Sequence, residues 1–285
     1  MRKIEYFELG GTLYIPIIHK NLLNIVNREK YSFLKSIVIC LEDAILDEEV
    51  KKGIEILKYL QFQKSDLKVF IRPRNEKMLS NILTFKNIEL FDGFVLPKID
   101  DKNIDNYIHI LKDSKFYVMP TIENILNDNI LFLLKEKFKM LNILTIRIGI
   151  EDILGSFSII RKDEIYFNNF LIMGFIYKIF SIFKDKYYVS APVCPFIKND
   201  NILINEVEKE KNFNILNKTI IHPNQAIILN EEYKVTKKEK EIALKLLKKK
   251  EAIFREDDRM YEFATHKNWA KIILKREKFY GVKDE

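Results

Sequence analysis

Short, nearly continuous runs of apolar and β-branched residues recur along the chain. They fall at 11–18 (GTLYIPII), 35–42 (KSIVICLE), 67–73 (LKVFIRP), 92–98 (DGFVLPK), 115–120 (KFYVMP), 142–149 (NILTIRIG), 186–193 (KYYVSAPV) and 218–222 (KTIIH). Such runs predict strands buried on both faces. Helical periodicity lies between them. In 46–60, Val50, Ile54 and Leu57 share a face; in 124–138, Leu126, Ile130, Leu133 and Leu134 do the same. Strand–helix alternation predicts parallel strands joined by helical crossovers. Eight such strands predict an α/β fold of the TIM (β/α)8 type. An open doubly wound sheet is the competing arrangement, but no glycine-rich phosphate loop follows the first strand.

After His222 the pattern turns helical. Residues 236–254 place Ile242, Leu246 and Ile253 on one stripe, and 257–280 are rich in Tyr, Phe and Trp. The expected organisation is a barrel over 1–230 and a C-terminal helical extension over 231–285. The extension would act as a lid or an oligomer contact. The length of 285 residues and 47% hydrophobic content suffice for one barrel core, since such barrels need ~250 residues.

Polar residues collect at the C-terminal ends of the predicted strands. These are Glu42-Asp43, Arg72 and Arg74, Lys98, Glu123, Arg147 with Asp152, and His222. In α/β barrels that face carries the active site. A charge just after a buried strand is costly unless paired or liganded. Glu123 and Asp152 suit a hard divalent cation such as magnesium; the structural alternative for each is capping the next helix. Arg72 and Arg74 either clamp a carboxylate or phosphate or pair with Glu42 and Asp43. Those two acids are ion-pair partners or hold metal-bound waters. Lys98 neutralises a substrate or a neighbouring carboxylate. Arg147 is a candidate inner barrel residue facing the carboxylates, and with Arg72, Arg74, Lys98, Glu42, Asp43 and His222 it is a candidate substrate-binding group. His222 is a proton carrier or a hydrogen-bonded strand-end histidine. His266 and Trp269 belong to a packed helix motif or to a lid.

Composition narrows the function classes. The formal net charge is +7, but Lys and Glu alternate in the run Lys237–Glu251, as on a solvated helix face. No basic patch interleaved with aromatics argues for nucleic acid. A small anionic metabolite suits the positive field better. Cys40 and Cys194 make neither a disulfide framework nor a zinc motif, and read as core thiols. The N-terminus has no secretory pattern, and the most apolar stretch, 167–183, carries Asn168, Asn169 and Lys178. No membrane span and a cytoplasmic location are expected. Glycine is scarce, at 8 residues, so those present mark places where a side chain is hard to fit.

Seven segments in order make the sequence resemble the citrate lyase β-chain and HpcH/HpaI aldolase superfamily. They are LYIP (13–16), IVICLEDAI (37–45), VFIRPRN (69–75), GFVLPK (93–98), MPTIEN (119–124), RIGIEDILG (147–155) and KTIIHPNQ (218–225). The segment Met260-Tyr-Glu262-Phe-Ala-Thr265-His266-Lys-Asn-Trp269-Ala270 extends the likeness to a C–C bond lyase branch found with tellurium-resistance and stress-response gene clusters. The resemblance implies magnesium on Glu123 and Asp152, and Arg72 against substrate carboxylate or enolate oxygens. It implies a carbon–carbon lyase or aldolase acting beside a carbonyl on a 2-oxo acid or CoA thioester. Homotrimers or hexamers are expected. A non-catalytic metabolite-binding or assembly barrel is the competing reading. The sequence departs from the family at Asn214–Lys218, where glycines are usual; Asn tolerates a left-handed backbone there. It also lacks the further acidic residues that usually follow the Asp152 motif.

Overall fold

The structure, a computed structural model, describes residues 2–248 and 252–283. It contains two compact units, Met1–Ile227 and Ile228–Glu285. The end of the lysine-rich run, residues 249–251, lies outside the described residues.

In the first unit the strands are β1 (Gly10–Pro16), β2 (Ser36–Cys40), β3 (Lys68–Arg72), β4 (Gly93–Leu96), β5 (Tyr117–Ile122), β6 (Arg147–Ile148) and β7 (Asn217–Ile220). They form one parallel sheet in the order β6-β5-β4-β3-β2-β1-β7. The expected strand over 186–193 is reduced to two parallel bridges, Ile146↔Val189 and Ala191↔Lys218. These close the barrel, with Ser190 N–H donating to the Ile146 carbonyl at 2.8 Å and Ala191 N–H to that of Asn217 at 2.8 Å. Pro192 follows and has no N–H to extend the ladder.

Helices cover the sheet: α1 (Leu22–Val26), α2 (Val50–Tyr59), α3 (Glu76–Ile82), α4 (Ile104–Leu111), α5 (Asp128–Lys137), α6 (Ile150–Ser156), α7 (Phe170–Phe183) and α8 (Asp200–Asn212), followed by α9 (Pro223–Glu232). Helix α5 starts later than its periodicity suggests, because the Asn127 side chain accepts from Ile130 N–H at 3.0 Å and caps it. Leu131 and Leu134 fill its inner face, whereas Leu133 is 41% exposed and not part of the stripe. Asn214 ends the α8 turn at φ +56°, so the departure from glycine is accommodated as expected.

Polar residues inside the barrel satisfy each other. Asn217 Nδ2 donates to the Gly10 carbonyl and to Thr12 Oγ1, and Ser36 Oγ to Thr12 Oγ1 at 2.8 Å. On the opposite face of β7, Lys218 is fully buried against Glu206 (3.0 Å) and Glu210 (2.5 Å) of α8, and Arg161 pairs with Glu206. Cys40 and Cys194 are buried free thiols. Among the described residues no helix is long and apolar enough to cross a membrane.

The second unit holds α10 (Lys237–Lys248), an antiparallel hairpin of β8 (Ile253–Glu256) and β9 (Arg259–Glu262), and α11 (Phe263–Tyr280). Ile253 is therefore a hairpin residue, 56% exposed, and does not extend the α10 stripe. The turn forms at Asp257, φ +50°. Ile242, Ala243, Leu246, Tyr261, Ala270 and Ile273 form a core with Trp269 packed on it. His266 Nδ1 accepts from Glu262 N–H at 3.0 Å where the hairpin passes into α11.

Candidate active site at the C-terminal rim

Neighbouring strand ends deliver the charged groups to one place. Arg72 is the last residue of β3, Glu123 follows β5, and Asp152 stands in the first turn of α6 just beyond β6. Glu42 and Asp43 follow β2, and Lys98 follows β4.

Arg72 is the hub and is 8% exposed. Its Nη2 lies 2.8 and 3.0 Å from the two Glu123 oxygens, 2.8 Å from Glu42 Oε2 and 3.4 Å from Asp43 Oδ2. Burial lowers its guanidinium, but Glu123 and Glu42 outweigh this and hold the charge firmly. The Lys98 ammonium lies 3.1 Å from Glu42, 3.5 Å from Asp43 and 3.7 Å from Asp152. Its backbone, at φ +49°, also presents N–H to Glu123 Oε1 at 3.2 Å.

Glu123 does not cap the following helix; Asn127 does that. Asp152 makes no side-chain cap to α6 either, although its charge suits the first turn. Asp43, Glu123 and Asp152 instead offer oxygens that all lie within 4.8 Å of one another. Burial raises Glu123 to about 8, with Asp152 and Glu42 adding to the effect against Arg72. Gly149 makes the approach feasible. A Cβ there would stand 2.5 Å from Glu123 Cγ, so any side chain would push that carboxylate aside.

Arg74 turns toward the loop after β2, and its ion pair is not the expected one with Glu42 or Asp43. Its Nε donates to the Leu41 carbonyl at 2.9 Å, Nη2 to the Ile45 carbonyl at 2.8 Å, and Nη1 pairs with Asp47. It braces the loop after β2. His222 Nδ1 accepts from Asn224 N–H at 3.3 Å, a hydrogen bond within its own turn.

Beneath the rim lies a cavity of about 180 Å³ lined by Arg72, Glu123, Asp152 and Arg147, with Tyr14, Thr121 and Thr219. Arg147 points inward and is 1% exposed. Asp43 as a third carboxylate beside Glu123 and Asp152, and Tyr14, Thr121 and Thr219 as lining groups, were not singled out from sequence for these places. The threonines sit within apolar strand runs, but Thr121 precedes Glu123 by two positions and so shares its inward face.

Comparison with known proteins fits the barrel fold. The structure resembles a citrate lyase from Burkholderia xenovorans LB400, with a TM-score of 0.77 and 15% identity over 97% of this chain and 94% of that one. It also resembles the protein CitE of Mycobacterium tuberculosis, solved with magnesium, acetoacetate and coenzyme A. There the TM-score is 0.72 and identity 15%, over 94% and 98% of the two chains. For the citrate lyase β subunit of the same organism, complexed with oxaloacetate and magnesium, the values are 0.62 and 12%, over 80% and 98%. No curated protein sequence matches. The model of one family, C–C bond lyase of the TIM-barrel fold, matches residues 3–282, and the chain belongs to that family.

Proposed function

We propose that this protein is a magnesium-dependent carbon–carbon lyase acting beside the carbonyl of a 2-oxo acid or an acyl-CoA-like substrate. One observation carries the reading. At the rim four carboxylates, Glu42, Asp43, Glu123 and Asp152, face two cations, Arg72 and Lys98. When all are ionised, two negative charges remain uncompensated, which suits one divalent cation. The donor set is all oxygen, as magnesium requires.

Glu123 and Asp152, with Asp43 beside them, would hold the ion. Bound magnesium would supply Lewis-acid polarisation of a substrate oxygen. Arg72, fixed by Glu42 and Glu123, presents a permanent positive charge to an oxygen that gains negative charge as the bond breaks. Lys98 offsets part of the acidic charge, and Gly149 leaves Glu123 room to stay in place. The structures solved with magnesium and small oxo acids support this reading, and the tellurium-resistance branch is our finer assignment within the family. We further assign a cytoplasmic location, homo-oligomeric assembly, and a lid or contact role for residues 231–285.

The test is a calorimetric titration of magnesium into the wild type and the double variant Glu123→Ala/Asp152→Ala. It is followed by a cleavage assay over 2-oxo acids and acyl-CoA thioesters. Tight binding by the wild type alone, with magnesium-dependent cleavage of one panel member, is expected. Equal, weak binding by both proteins would remove the metal, and with it the lyase.

A further inference from the structure

Four arginines are buried among the described residues: Arg72, Arg147, Arg161 and Arg276. Three of them pair with carboxylates, namely Arg72 with Glu42 and Glu123, Arg161 with Glu206, and Arg276 with Glu239. Arg147, at 1% exposure, has no acidic partner among the described residues. Its Nη2 donates to Thr219 Oγ1, Nη1 lies 3.4 Å from Asn217 Oδ1 and 3.7 Å from Met119 Sδ, and the neutral Tyr14 hydroxyl is a further hydrogen-bond partner of the guanidinium. Its Nε has no hydrogen-bond partner. A buried guanidinium left without a counter-charge is costly by several kcal/mol.

The surroundings show where a counter-charge would enter. Arg147 pairs in register with Thr121, two positions before Glu123, so it lies one layer deeper in the barrel than the rim acids. Both residues line the same cavity as Glu123 and Asp152. Thr121 Oγ1 is buried there without a partner too. Tyr14 has its ring centroid 5.3 Å from the Arg147 guanidinium carbon and 5.9 Å from that of Arg72. The cavity thus runs from a patch of excess negative charge to an uncompensated positive one.

We infer that Arg147, with Thr121 and Thr219, forms a second subsite that binds an anionic group of the substrate one barrel layer below the rim. The ligand class follows: a short acid with two separated anionic or oxygen-rich ends, one for the rim and one for Arg147. A volume of about 180 Å³ accommodates a few carbons. The inference rests on the rim reading above for the second end of the ligand, but the Arg147 end can be tested separately.

The probe is succinate, compared with butyrate, which has the same chain length and one methyl in place of a carboxylate. Affinities are measured with and without magnesium for the wild type, Arg147→Met, Arg147→Lys, Thr219→Val and Glu123→Gln/Asp152→Asn. The wild type should prefer succinate at least ~10-fold, the gain expected of one charge-assisted contact. Arg147→Met should erase that preference, Arg147→Lys should keep part of it, and Thr219→Val should weaken it. The rim double variant should lose magnesium yet keep the preference. A preference that survives Arg147→Met, or a folded wild type with none, overturns the subsite. A preference that follows Arg147 in a protein that never binds magnesium leaves the subsite standing and removes the rim reading. If Arg147→Met does not fold, as circular dichroism would show, the lysine and valine variants decide: an undiminished preference in both overturns the proposal.

Discussion

Two groups of buried charge in the same barrel are built differently. Outside the sheet, Arg161 and Lys218 meet Glu206 and Glu210, two cations for two acids, with all four side chains at 0–2% exposure. At the rim, two cations meet four acids, and Asp43, Lys98 and Asp152 reach solvent at 52%, 46% and 36%. The first group is closed: its charges cancel and it locks α8 to β7 and to the loop carrying Arg161. The second is open, with a surplus of one sign and a route to water. Balance fits a structural brace, and imbalance fits the ligand site proposed for the rim.

The sharpest break of that contrast is Lys218→Met. It strands Glu210 in the interior, while Glu206 keeps Arg161, and should lower stability by about 3–5 kcal/mol, measured by urea unfolding. A loss under 1 kcal/mol would mean the closed group is no brace. Next, Gly149→Ala puts a methyl against Glu123 and should destabilise by about 1–3 kcal/mol. It should also weaken magnesium binding, as read by calorimetry; unchanged affinity would separate Glu123 from the ion. Third, Glu123→Gln should weaken magnesium at least ~10-fold, or about 1.4 kcal/mol, while costing little folding stability.

A pH series refines the rim half of the comparison. Burial raises Glu123 from 4.5 to about 8. Between those values the folded chain holds a proton that the unfolded chain has released, so its contribution to stability falls as pH rises. Thermal unfolding without metal should show the wild type losing ground to Glu123→Gln from pH 5 to pH 9. Added magnesium should offset the loss most at the alkaline end. A constant difference would contradict the raised carboxyl. The smallest effect is a control away from both groups. Asn214→Gly should stabilise by about 0.5–1 kcal/mol by relieving a left-handed backbone, without changing magnesium affinity.

The barrel was legible because its strands are continuous apolar runs, and the rim because charges follow those runs at once. What was lost follows from local chemistry. The run 186–193 looks like a strand, but Pro192 stops the ladder after Ala191. Ile253 lies seven residues beyond Leu246, a helical spacing, yet the turn at Asp257 makes it part of a hairpin. Arg74 looks equivalent to Arg72 two positions earlier, but the carbonyls of the loop after β2 claim it. Thr121, Thr219 and Tyr14 carry no charge and sit inside hydrophobic stretches, so only the closed barrel shows that they line a cavity.

Lys98 links the rim from two ends of a single residue. Its main chain is bent to φ +49° so that the amide meets Glu123, while its ammonium stretches to Asp152. Its charge softens the repulsion among the acids, the part a bound cation would play under the proposed reading. Metal loading would then be an exchange in which an arriving ion competes with a charge the chain already owns. A barrel built this way would not need the ion in order to fold.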